Sequence, residues 1–176
     1  LVATSWAISE IVDLNESISV DVQPINNLRN VDWSPDGKYL ATASQDGTTK
    51  NLEIYRKDSS GMTRVAFYDF GGAVPDVEWH PSGKFLATSG DSTTARTTVF
   101  SFENEVLSTV GWYKIASYSY AVSWSPDGKF LANIEDSGGI LRVAPFDVDT
   151  KILGEAKVAG SYPGGTRGFG WHSSGK

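Results

Sequence analysis

VDWSPDGKYLATAS, residues 31–44, is the stretch that decides the fold. Val31 and Trp33 alternate with polar Asp32, the period-two pattern of a half-buried strand. Ser34-Pro35-Asp36-Gly37 follows as a turn, because Pro presets φ and Gly admits a positive φ. Residues 39–44 then supply a second strand. The pattern returns as VEWHPSGKFLATSG from Val77 and VSWSPDGKFLANIE from Val122, and a fourth copy, FGWHSSGK, begins at Phe169. The marker residues Trp33, Trp79, Trp124 and Trp171 are 46, 45 and 47 residues apart. A period of about 40 to 50 with several short strands is the signature of an all-β propeller, in which each repeat forms a four-stranded antiparallel blade.

The rest of each repeat is consistent with that architecture. In the first, residues 51–56 read as a third strand and 64–70 as a fourth; the second repeats them at 98–102 and 107–116, and the third at 141–146 and 154–159. Gly and Pro punctuate the chain and β-branched and aromatic residues fill the intervals, so no helix of useful length is expected. Leu1-Val2-Ala3-Thr4-Ser5, set after Lys176, continues the fourth copy in the register of residues 82–89. The expectation is therefore one domain, 1–176, with blades at about 28–70, 74–116 and 119–159 and a fourth split between 166–176 and 1–25. Its inner strand would be 169–172 and two of its outer strands 8–14 and 17–22. Such a blade could fasten the ring within one chain or between chains, giving a homo-oligomer.

Composition narrows the function classes. Fifteen basic against twenty-one acidic residues give a net charge of −6, which opposes the counterion release behind nucleic-acid binding. With no Cys, disulfides, thiolate catalysis and thiolate zinc sites are excluded. No run approaches the ~18 apolar residues that cross a bilayer, so membrane insertion is not expected. Low charge, abundant Ser, Thr and Gly, and one sequon at Asn15-Glu16-Ser17 point toward the cell surface or exterior. No cofactor motif is present.

VDWSPDGKYLATASQDGT, residues 31–48, resembles the WD-repeat family, and the resemblance recurs once per blade along the whole chain. The chain keeps Ser44 with Asp46 and Ser89 with Asp91, but lacks the Gly-His and Trp-Asp that often complete the family's hydrogen-bonded tetrad. Members usually close with seven blades, so four is a departure. A second resemblance lies in Tyr162-Pro163-Gly164-Gly165-Thr166-Arg167-Gly168-Phe169 and the HSSGK after it, which are similar to lactonase-like and surface-layer propellers. That group implies either a sugar-lactone hydrolase or a non-catalytic surface protein.

The recurrent turn residues Asp36, Asp46, Asp91, Asp127 and Asp136 read as structural, because each loop offers one carboxylate where calcium needs about six to eight oxygens. No metal site is expected. His80 and His172 share one repeat position, filled by Ser34 and Ser125 elsewhere, and are expected to be solvent-facing turn residues. Trp33, Trp79, Trp124 and Trp171 are expected to fill the wedges between blades. The loops entering the inner strands gather at one end of the channel and bring Arg29, Asp76, Tyr118, Tyr120, Tyr162 and Arg167, the residue types of binding surfaces. The sequence thus favours a non-enzymatic scaffold binding a protein or polymer across that loop face. The alternatives are a lactonase-like hydrolase of sugar lactones and a surface lectin or structural surface protein.

Overall fold

The structure is a computed structural model and describes residues 27–45, 51–59, 61–90, 96–162 and 168–175. The outer strands expected at 8–14 and 17–22, and the turn residues Asp46 and Asp91, lie outside the described residues. Three blades follow in order. The first comprises β1 (Leu28–Trp33), β2 (Tyr39–Ser44), β3 (Leu52–Asp58) and β4 (Gly61–Tyr68). The second comprises β5 (Val77–Trp79), β6 (Phe85–Thr88), β7 (Arg96–Glu103) and β8 (Val106–Lys114). The third comprises β9 (Ser119–Trp124), β10 (Phe130–Glu135) and β11 (Ile140–Asp147), with β12 (Ile152–Leu153) and β13 (Lys157–Ser161) sharing the outer edge of β11. All pairings are antiparallel between chain neighbours, except that β13 pairs with β11.

The register is the same in each blade. Trp33 faces Leu40, Trp79 faces Leu86 and Trp124 faces Leu131 across the first pair of strands. The linking turn is also repeated: the Gly37, Gly83 and Gly128 amides donate to the carbonyls of Ser34, His80 and Ser125, each at 2.8 Å. These glycines have φ of 69°, 70° and 70°, a left-handed conformation that a side chain would strain. Residues 168–175 repeat the turn, with Gly175 at φ 71° and its amide 2.8 Å from the His172 carbonyl. Among the described residues no strand forms at 169–172, where the inner strand of the fourth blade was expected.

Two outer elements differ from expectation. The fourth strand of blade one begins at Gly61 rather than 64, because Asp58 pairs directly with Gly61 across a two-residue loop. In blade three the outer strand is split into β12 and β13. The interruption lies opposite Pro145, which has no N–H to donate, and a Cβ on Gly154 would come within 2.7 Å of the Pro145 ring.

The core lies in the seams between blades. In the first seam Trp79 and Phe102 pack on Tyr39, with Ala41, Ala43 and Ile54 beneath them. In the second, Trp124 and Phe146 pack on His80 and Phe85. Phe85, Phe100, Leu52, Ile54 and Leu131 are fully buried, each stabilising the fold by roughly 1.5–3 kcal/mol. Of the tryptophans expected to fill the wedges, Trp79 and Trp124 are 4% and 3% exposed. Trp33, by contrast, is 43% exposed, because no described blade precedes it.

Candidate functional site

Alternation along the inner strands decides what reaches the inner wall. Val31 and Trp33, Val77 and Trp79, Val122 and Trp124 take one face, which leaves Asp32, Glu78 and Ser123 on the other. All three are half-buried. Each carboxylate bridges to the next blade: Asp32 Oδ2 accepts the Trp79 amide at 2.6 Å, and Glu78 Oε2 accepts the Trp124 amide at 3.0 Å. Ser123 Oγ donates to Glu78 Oε1 at 3.5 Å. Asp76, two residues before Glu78, accepts the Val122 amide at 2.8 Å, its neighbour's Val77 amide at 3.0 Å and the Asn30 side-chain amide. Three carboxylates therefore lie along the wall made by β1, β5 and β9.

Their electrostatics are coupled. Burial pushes Glu78 up to about 7, further raised by the charges of Asp32 and Asp76, while the Ser123 and Trp124 hydrogen bonds hold it down. Burial also raises Asp32, opposed by the Trp79 amide, and raises Asp76, opposed first by the Val122 amide. A carboxyl group that titrates near neutrality can exchange a proton with substrate or water at physiological pH.

The residues singled out in the sequence divide between surface and interior. Arg29 is exposed beside Asn30 in β1. Tyr118 and Tyr120 form a tilted ring pair, centroids 4.8 Å apart, half-buried on the loop entering β9. Tyr162 is 52% exposed beyond β13, and its amide donates to the Gly139 carbonyl at 3.0 Å. Arg167 lies outside the described residues. Asp76 is buried, a cross-blade acceptor rather than an open loop group. Asp36 and Asp127 accept the Ser34 and Ser125 hydroxyls at 2.7 and 2.6 Å within their own turns, and the Asp136 amide donates to the Tyr118 carbonyl at 2.8 Å.

His80 corrects the expectation of a solvent-facing residue: it is 2% exposed. Its Nδ1 accepts the Ser82 amide at 3.0 Å, so the proton sits on Nε2, which donates to the Gly128 carbonyl in the next blade at 2.9 Å. Burial lowers its pKa and keeps the ring neutral. His172 forms the same turn with Ser174 and is exposed.

The sequence reading missed Asp32 and Glu78. Their signal was present as the single polar residue between two apolar ones in each inner strand, a position that looks like ordinary strand alternation until the strands are set side by side around an axis.

The WD domain, G-beta repeat model matches residues 23–50 and 63–96. Among curated proteins nothing matches the chain. Solved structures match the fold. A 6-phosphogluconolactonase of Bacteroides fragilis, so named provisionally, superposes with a TM-score of 0.65 at 19% identity, over 75% of this chain and 38% of that one. Its counterpart from Bacteroides uniformis gives 0.66 at 19%, over 78% and 42%. The periplasmic gluconolactonase of Pseudomonas aeruginosa gives 0.63 at 21%, over 77% and 42%. Both resemblances seen in the sequence are thus found again: the WD-repeat model matches two stretches of the chain, and propellers named as lactonases share its fold. The matched part spans well under half the length of those lactonases. The expectation of a non-enzymatic chain is corrected here, because three structures that share its fold are named as lactonases.

Proposed function

We propose that the protein hydrolyses a sugar lactone at the acidic wall formed by β1, β5 and β9. The observation that carries this reading is Glu78: half-buried, oriented by the Trp124 amide, and titrating at about 7 beside two further carboxylates. In its ionised form Glu78 takes a proton from water as the water oxygen bonds to the lactone carbonyl carbon. The tetrahedral adduct collapses by breaking the ring C–O bond, and Glu78 returns its proton to the departing ring oxygen. The product is the open hydroxy acid. Burial, helped by the smaller effects of the Asp32 and Asp76 charges, keeps the Glu78 pKa high enough for both transfers, and the Tyr118–Tyr120 pair offers aromatic faces for the apolar side of a sugar ring.

The test is proton release from gluconolactone and from its 6-phosphate ester. Wild-type turnover should exceed the spontaneous rate and rise as pH passes through 7, and Glu78→Gln should lower it by about 10²- to 10⁴-fold with unchanged circular dichroism. No turnover of either ester by the wild type, or full activity in Glu78→Gln, would overturn the proposal.

A further inference from the structure

Asp32, Glu78 and Ser123 hold one repeat position, the residue just before the marker tryptophan on β1, β5 and β9. An acid at this position reaches to the next blade and accepts the tryptophan amide there, so it lies beside the following member of the series. For Asp32 that member is Glu78, a second acid. For Glu78 it is Ser123, half-buried, with its hydroxyl 3.5 Å from Oε1. The series thus places opposite Glu78 a group that can both donate and accept a hydrogen bond.

The two oxygens of Glu78 are unlike. Oε2 accepts the Trp124 amide at 3.0 Å, and the indole N–H of the same tryptophan donates to the Glu78 main-chain carbonyl at 3.3 Å, so both ends of the residue are held. A main-chain amide can only donate, so Oε2 stays an acceptor and a proton arriving on the carboxyl group goes to Oε1. There the Ser123 hydroxyl answers either state, having one proton to give and lone pairs to receive. At 3.5 Å its donation is long, so it steadies the ionised group without saturating Oε1. The Ser123 main chain is fixed, paired with Ala132 of β10 and accepting the Trp171 indole N–H at 3.1 Å, so the hydroxyl alone has to turn.

We infer that Ser123 positions the proton that Glu78 takes and returns: its hydroxyl donates to Oε1 of the carboxylate and turns to accept from Oε1 once that oxygen is protonated. The inference rests on the reading of Glu78 as the acid–base group of lactone hydrolysis. The proton leaves water for Oε1 as the water oxygen bonds to the lactone carbonyl carbon, and it leaves Oε1 for the ring oxygen as the ring C–O bond breaks. Ser123 gains and loses no proton; it turns once in each direction and acts through Glu78. The charges that bear on Glu78 are those of Asp32 on β1 and Asp76 ahead of β5, while β9 meets it with the Ser123 hydroxyl and the Trp124 amide.

NMR on the full chain carrying carboxyl-labelled glutamate tests this without any substrate. The resonance that titrates at about 7 should be absent from Glu78→Gln, which assigns it. Ser123→Ala removes a hydrogen bond that favours the ionised form, so the Glu78 midpoint should rise by about half to one pH unit with an unchanged circular dichroism spectrum. Ser123→Thr keeps the hydroxyl on a strand that suits a β-branched residue and should restore the wild-type midpoint. In the gluconolactone assay the rising limb of the pH–rate profile should move with the NMR midpoint in each variant. A folded Ser123→Ala whose Glu78 midpoint is unmoved would overturn the inference, and so would a shift that Ser123→Thr fails to reverse. The failure of the lactonase reading looks different: the wild type turns over neither ester, while the midpoint still rises in Ser123→Ala and returns in Ser123→Thr, which would keep Ser123 as the partner of the Glu78 proton.

Discussion

The seam between blades two and three and the leading face of blade one, which no described blade covers, are built from the same repeat position, yet they differ at every level. Trp124 is 3% exposed, with His80, Phe85 and Phe146 around it; Trp33 is 43% exposed, with a lysine above its ring. Their own blades give them the same cross-strand partner, Leu131 and Leu40. A blade therefore builds its tryptophan into place, and only the neighbouring blade makes it core. Repeat architectures owe their stability to such nearest-neighbour contacts rather than to the repeats alone.

The sharpest break of that comparison is Trp124→Ala against Trp33→Ala. Removing the buried indole should destabilise the fold by about 3–5 kcal/mol, since the aromatic cluster cannot collapse to fill the space. Thermal unfolding reads the difference, because Trp33→Ala in a single chain should change stability by no more than about 0.5 kcal/mol. Equal effects would mean that the leading face is covered in solution.

Glu78→Gln probes the polar side of the same seams. A carboxyl raised from 4.5 to about 7 in the fold stabilises it below pH 4.5, and that contribution is lost as pH rises through 7. The wild type should therefore lose stability between pH 5 and pH 8, by up to about 3 kcal/mol. The Gln variant should lose markedly less over that range, and parallel profiles would show that Glu78 carries no such strain.

His80→Ala and His172→Ala sharpen the comparison further. The first leaves the buried Gly128 carbonyl without its donor and should cost about 1–3 kcal/mol, whereas the second should leave the single chain's unfolding unchanged. His80 is held below its ordinary 6.5, so its contribution is present above pH 6.5 and is lost as pH falls through that value toward the folded pKa. Wild-type unfolding should show this acid-side decline, and His80→Ala should remove it.

Much of the fold was legible in residues 31–44 and their copies. The turn needed Pro and Gly, the alternation Val-Asp-Trp set the strand faces, and the 45- to 47-residue spacing set the blades. The outer strands were less legible, since a hairpin register depends on which residue pairs with which. Asp58 opposite Gly61 and the break opposite Pro145 are decided by partner strands distant in the ladder.

The acidic wall lay further beyond the sequence. Asp32 and Glu78 are 46 residues apart, and either alone is an ordinary exposed residue of a short strand. Only the stacking of β1, β5 and β9 half-buries both, points them at the amides of the next blade, and raises both by burial, Glu78 a little further by the Asp32 charge. The same holds for His80, identical in local sequence role to His172 but buried where a following blade meets it. The sequence by itself determined the repeat, its turns and which side chains share a strand face, because those depend on residues within a few positions of each other. Burial, proton affinity and the difference between a closed seam and an open one were decided by the tertiary structure, because each depends on what a separate blade brings to the surface.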